Sequence, residues 1–232
     1  MMGQQKAPEP RRLYQQIADQ IRQLILADQF PAGTRLPSER DLAIQLGVSR
    51  PSLREALIAL EIDGSVEIRM GSGVYVLATP ERSENDSFSL GESPSELMHA
   101  RAVIEGSVIV LASARIEKGT LSELRSLIDK MRFEVDRGRR PLDHDRSFHV
   151  AIAVSSGNSV LARLVAELFD ERHSPISEKI RVRFENQVTW AAAIAEHEAI
   201  LGALELRDPM LAQAKMQCHL EASRRRWVLD DE

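Results

Sequence analysis

The sequence predicts a mainly α chain in two parts: a small helical domain closed by a β-hairpin, then an all-α helical bundle. Three observations carry that reading. Residues 36–57 form two short helical patterns around a Gly-containing turn, and residues 66–77 hold two β-prone runs around Gly71 and Gly73. From Pro94 onward the apolar residues recur at helical spacing and strand signals are absent.

The elements follow in order. Residues 13–30 make an amphipathic helix, apolar at Ile17, Ile21, Leu24, Ile25 and Leu26, able to cover the back of the next two helices. Ser38, three residues before Asp41, starts the first of that pair in a capping-box-like way, and Leu42 and Leu46 give it a buried stripe. Gly47 ends it, because glycine accepts the left-handed conformation of a tight exit. Ser49 caps the second helix, and Pro51 is tolerated where the first-turn amides lack intrahelical partners. Leu53, Ala56, Leu57 and Leu60 bury one face. Arg50, Ser52 and Arg54 are left near the N-terminal end, the end that meets base edges in helix-turn-helix docking. Arginine can bridge guanine O6 and N7 with two hydrogen bonds, and serine can bind phosphate or base. A solvated helix pair whose arginines face water is the alternative. Helix, helix-turn-helix and hairpin together spell a winged helix, with Gly71 and Gly73 at a tip thin enough to approach a nucleic-acid backbone or minor groove.

Composition sets bounds. The chain has 232 residues, 43% hydrophobic and 28% charged, enough for two domains with real cores. No apolar run approaching a membrane span and no signal peptide are read in it, and a single cysteine, Cys218, excludes an internal disulfide. A cytoplasmic location and a buried, unreactive Cys218 are the expectations. The net charge is −5, yet residues 1–78 carry nine basic and nine acidic residues, so the deficit lies downstream. Around residues 35–54 the local sign is positive: four arginines face Glu39 and Asp41.

Residues 78–93 are polar, Ser-rich and poor in periodic apolar positions, which reads as a linker between domains at 1–77 and 94–232. Helices are expected near 94–117, 120–138, 141–156, 158–172, 176–206 (broken) and 209–228, punctuated by Gly138, Gly157 and Pro209. Asp145 and His149 are four apart and so share a helix face, while His197 and His219 sit on two other helices. Three imidazoles and a carboxylate converging in a bundle core could hold a divalent ion such as Zn, Ni or Mn. The spacing equally fits a helix-surface hydrogen bond between Asp145 and His149. His144 is expected to be exposed, and His99 and His173 structural.

The series P-S-E-R-D-L, G-V-S-R-x-x-L-R-E-A-L and G-x-G-x-Y-V between Leu36 and Val76 closely resembles the DNA-binding domain of the GntR family of bacterial transcription regulators. That resemblance implies DNA contacts at Arg40, Ser49, Arg50, Ser52, Arg54 and Gly71. Pro51 departs from the pattern, since many relatives carry threonine or another small polar residue there. The segments around Asp145 and His149, Asn158, His197 and His219 resemble the C-terminal ligand domain of the FadR subfamily, called FCD. In its metal-containing members the four ligands correspond to Asp145, His149, His197 and His219, and Arg101 falls in the pocket, able to hold a carboxylate. An intrahelical pair with Glu105 is the second reading of Arg101, compatible with the first. Ser174-Pro175, Trp190, Arg207-Asp208-Pro209 and His219-Leu220-Glu221 are similar to regulators of hexuronate metabolism.

Together these readings imply a homodimeric, DNA-binding regulator without a membrane segment, a repressor rather than an activator. A small carboxylate metabolite such as a sugar acid, bound at the metal site, would release it from a near-palindromic operator. A metal-dependent enzyme acting on a sugar or hydroxy acid is the rival, although no catalytic residue beyond the ligands stands out. A structural metal that merely closes the bundle is the third reading.

Overall fold

The computed structural model describes residues 12–77 and 90–228, and the chain divides into two compact units, Met1–Ser93 and Pro94–Glu232. In the first unit, α1 (Leu13–Leu26) packs on α3 (Arg50–Ile62), with α2 (Glu39–Leu46) crossing α3 and the strands β1 (Val66–Arg69) and β2 (Gly73–Val76) following. Its core joins Tyr14, Ile17 and Ile21 of α1 to Leu42 of α2 and to Leu53, Leu57 and Leu60 of α3. Each such aliphatic side chain contributes about 1.5–3 kcal/mol on burial.

The first helix is shorter than expected. Asp28 takes a left-handed φ of 58°, and the Gln29 amide reaches back to the Leu24 carbonyl at 3.1 Å, which closes the helix at Leu26. The buried stripe is Ile17, Ile21 and Ile25; Leu26, one residue out of that period, is exposed, and Leu24 and Leu46 are only half-buried. Ser38 caps α2 through the Asp41 amide at 3.2 Å, and Ser49 caps α3 through the Ser52 amide at 3.2 Å. Gly47 ends α2 with φ 67°. Gly47→Ala should therefore cost about 1 kcal/mol or more, since a Cβ is strained in that conformation, and urea unfolding checks it.

The hairpin pairs Val66 with Val76 and Arg69 with Gly73, antiparallel, around a turn in which Gly71 has φ 67°. A third rung absent from the sequence reading lies beyond β2: Leu36 N donates to Val74 O at 2.8 Å and Val76 N to Thr34 O at 2.9 Å. It anchors the chain entering α2 to the hairpin.

Of the expected linker, residues 78–89 lie outside the described residues. Gly91 to Ser93 pack on the first unit: the Tyr14 hydroxyl donates to Gly91 O at 2.9 Å and the Ser93 hydroxyl to buried Glu55 of α3 at 2.7 Å. Burial pushes the Tyr14 hydroxyl up to about 12, so it remains a donor.

The described elements of the second unit are all helical: α4 (Pro94–Arg115), α5 (Lys118–Asp136), α6 (Leu142–Ser155), α7 (Ser159–Asp170), α8 (Pro175–Phe184), α9 (Gln187–Glu205) and α10 (Pro209–Val228). A 3-10 turn, Glu171–His173, joins α7 to α8. The break expected within 176–206 falls at Glu185 and Asn186, where the Asn186 side chain caps α9 and Thr189 returns a hydrogen bond. α4 lies along α10 and also packs on α6 and α7, while α9 packs on α5 and α10.

Three expectations need correction. α4 is long and apolar enough to span a bilayer by length and composition, with mean hydropathy 1.4 over its richest window. Its packing and its buried Arg101 and Glu105 make it the central helix of the bundle instead. Cys218 is exposed rather than buried, because it sits one residue off the α10 stripe of Met216, His219 and Leu220. His144 is half-buried, whereas His99 and His173 are exposed.

Candidate nucleic-acid interface and metal centre

In the first unit the expected contact residues occupy the start of α2, the first turns of α3 and the tip of the hairpin. Arg40, Ser49, Arg50 and Gly71 are exposed. Ser52 is half-buried, and its hydroxyl lies 2.8 Å from that of Ser49, so the two serines form one polar corner at the N-terminus of α3. That end also carries the partial positive charge of the helix dipole, which suits phosphate. Arg54 differs from the sequence reading. Its Nε and Nη2 both donate to Glu39 Oε2, at 3.0 and 2.8 Å, so it braces α3 against α2. Arg35 was not singled out from the sequence; its guanidinium lies against Gly73, where an added Cβ would come within 2.5 Å of Nε. Only the third rung, invisible to periodicity, places it beside the hairpin.

In the second unit the four expected ligands converge. One donor atom from each of Asp145, His149, His197 and His219 lies within 4.8 Å of every other. Asp145 Oδ1 is 3.3 Å from His149 Nε2 and 3.0 Å from His197 Nε2, and the two Nε2 atoms are 3.4 Å apart. Ligands about 2.0–2.2 Å from a common ion stand roughly 3.0–3.5 Å apart at right-angled to tetrahedral geometry, which these separations match. Asp145 Oδ1 is buried and has no aligned hydrogen-bond partner, so these close atoms aim at a shared point rather than at one another.

The opposite edge of each imidazole is fixed. His149 Nδ1 meets Glu105 Oε2 at 2.5 Å, His197 Nδ1 donates to Ala193 O at 2.7 Å, and His219 Nδ1 meets Glu196 Oε2 at 2.8 Å. Such outer partners orient metal-binding histidines and leave Nε2 free to ligate. The charges agree. Burial, then the neighbouring His197, lowers His219 to about 3, leaving it neutral at pH 7, the form that ligates. Burial raises Asp145, but the His149 and His197 imidazoles and the Arg172 charge outweigh it and hold the carboxyl well below its usual range. Burial lowers His149, while Glu105 and Asp145 raise it beyond that loss, so a positive charge is favoured at this spot.

Arg101 is fully buried, with Nε on Glu105 Oε1 at 2.6 Å. Both readings of this residue therefore coexist: it pairs along its helix and also lines the cavity beside His197 and His219. Burial raises Glu105, but Arg101 and His149 outweigh it and hold the carboxyl at about 2. Because Nε is committed, a carboxylate would be met by the Nη edge, where Nη2 has no partner. The cavity opens to solvent, and about 50 Å³ of it is open to the centres of water-sized spheres. Arg172 was missed as a site residue. It holds Asp145 Oδ2 at 2.9 Å and sits beneath Trp227 and Phe169, and no local sequence signal separates it from the many surface arginines.

A winged helix followed by an all-helical bundle defines a class, the two-domain DNA-binding regulators. Comparison with known proteins makes the assignment specific. The model of bacterial regulatory proteins of the gntR family matches residues 13–76, and that of the FCD domain matches residues 96–222. The Exu regulon transcriptional regulator of Escherichia coli (strain K12) is 34% identical over 220 residues, covering 92% of this chain and 83% of that protein. The Uxu operon transcriptional regulator of the same strain is 31% identical over 227 residues, covering 95% and 88%. Among solved structures, Streptococcus agalactiae GntR aligns with a TM-score of 0.50 at 29% identity, covering 91% of this chain and 99% of that one. This chain belongs to the GntR family and carries an FCD domain. It is a DNA-binding transcription regulator, and the metalloenzyme reading falls away, since the matching family and relatives are regulators.

Proposed function

We propose that this protein is a homodimeric repressor of a sugar-acid operon, released from its operator when a carboxylate effector binds at a divalent metal in the bundle. The observation that carries the proposal is the meeting of one donor atom from each of Asp145, His149, His197 and His219 in the cavity that Arg101, with its unpartnered Nη2, also lines. A divalent ion of the Zn, Ni or Mn type would supply open coordination positions for a chelating carboxylate and its neighbouring hydroxyl. Asp145, His149, His197 and His219 would hold that ion, and Arg101 would orient the carboxylate. The names of two relatives, which refer to the Exu regulon and the Uxu operon, support control of the same kind of operon.

Two linked domains at 1–77 and 94–232 suit this role. The Ser93 hydroxyl is bonded to Glu55 on α3, and the next residue, Pro94, begins the helix that bears Arg101. An effector that prefers one arrangement of α4 can bias the reading head along this short path. The site of action is the bacterial cytoplasm, where operator DNA lies.

Arg40, Ser49, Arg50, Ser52, Arg54 and Gly71 form the proposed DNA contact set. Arg50 gives the cleanest test, because it is exposed while Arg54 also braces two helices. Arg50→Ala should weaken specific operator binding by about 1–3 kcal/mol without lowering the melting temperature. Anisotropy titrations of the protein's own promoter fragment against random duplex check it; unchanged preference would contradict the docking. Metal analysis followed by calorimetry with uronic, aldonic and short hydroxy acids tests the effector half.

A further inference from the structure

The chain contains two tryptophans, Trp190 in the first turn of α9 and Trp227 near the end of α10, and both line the cavity. Both indoles converge on one carboxylate, Glu185, at the corner between α8 and α9. Trp227 Nε1 donates to Glu185 Oε1 at 3.1 Å and Trp190 Nε1 to Oε2 at 3.4 Å. Arg172 Nη2 donates to Glu185 Oε1 at 3.4 Å, while its Nη1 holds Asp145 Oδ2. Glu185 thus ties three elements into a wall, one guanidinium away from the proposed metal ligand.

Two of those three contacts lie at the long end of hydrogen bonding, and a carboxylate has about four acceptor positions. One acceptor position therefore remains on Glu185, a residue that lines the cavity. Flat indole faces beside a half-buried carboxylate acceptor suit a molecule with C–H on one side and hydroxyl donors on another, which is the surface of a polyhydroxylated chain or ring.

We infer that Glu185, with Trp190 and Trp227, is the length- and hydroxyl-reading end of the effector cavity. On this assignment the Arg101 end binds the carboxylate and Glu185 selects polyhydroxy acids over short 2-hydroxy acids. A three-carbon acid held at the metal would then leave Glu185 untouched, whereas a six-carbon acid would carry a distal hydroxyl to it. The inference rests on the effector reading above.

The test uses the metal-loaded full chain with two probes, D-galacturonate and L-lactate, followed by calorimetry and tryptophan emission. Glu185→Gln is expected to weaken D-galacturonate binding about tenfold or more. L-lactate binding and metal content should stay within about twofold, since neither needs the distal acceptor. D-galacturonate should also shift wild-type emission more than L-lactate does, because every tryptophan in the chain borders the wall. Trp190→Phe, at a half-buried position, should show the same selective loss and guards against misfolding of the first variant. Equal losses for both acids, loss of metal, or no loss in either variant overturns the inference while leaving the metal-site effector reading intact. Wild-type protein that binds neither these two nor any other uronic, aldonic or hydroxy acid overturns both.

Discussion

His197→Ala is expected to lower affinity for a divalent ion by at least about 100-fold, more than the loss usual for an outer partner. The side chain is almost wholly buried, and its Nε2 stands 3.0 Å from Asp145 Oδ1 and 3.4 Å from His149 Nε2. Removing it takes out one corner of the donor set and leaves Asp145 without one of the two imidazoles that offset its burial. Operator affinity in the absence of effector should change little, because the reading head forms its own core from α1, α2 and α3. The response to effector should vanish. Elemental analysis of the purified variant together with anisotropy on operator DNA checks both halves, and full metal occupancy would refute the ligand set.

Replacing Arg101 should have the second large effect, on stability and on binding together. Its guanidinium is fully buried against Glu105, and a buried ion pair broken on one side costs about 3–5 kcal/mol because a bare charge remains. Arg101→Leu is therefore expected to unfold at markedly lower urea concentration. Arg101→Lys separates the two roles. It keeps a cation beside Glu105 but loses the planar edge that pairs with a carboxylate. Its unfolding midpoint should lie near that of the wild type, with effector affinity reduced about 30-fold or more. An Arg101→Lys variant that binds effector normally would remove Arg101 from the recognition role and leave it a structural cation.

Much of this arrangement is legible in the chain because local chemistry and tertiary context agree there. Ser38, Gly47 and Ser49 specify both ends of the turn between α2 and α3 by capping and left-handed geometry, needing no distant partner. Asn186 was less legible: its capping of α9 splits a stretch whose periodicity ran nearly unbroken from 176 to 206. The convergence of Asp145, His149, His197 and His219 could be expected because a family pattern covered all four positions. Its surroundings could not. Arg172, Glu185 and Trp227 lie on three separate elements, and nothing in the sequence says that their side chains meet. Arg54 shows the same limit in reverse. Its position on α3 suggests a free DNA contact, while Glu39, fifteen residues earlier, occupies its guanidinium.

The hydrogen bond between Ser93 and Glu55, which periodicity could not show, lies within the first unit and fixes the end of the segment that leads into α4. Glu55 is buried on the same helix as Arg50, and Ser93 stands next to the first residue of α4.

The central claim is that occupancy of the histidine-lined cavity decides whether the winged helix holds its operator. Its most direct test is anisotropy of a labelled promoter fragment bound to metal-loaded protein, titrated with uronic and aldonic acids, wild type beside His197→Ala. Release from DNA by at least one acid for the wild type, with the variant staying bound throughout, is the expected result. Equal release of both proteins, or of neither under any acid, would contradict it.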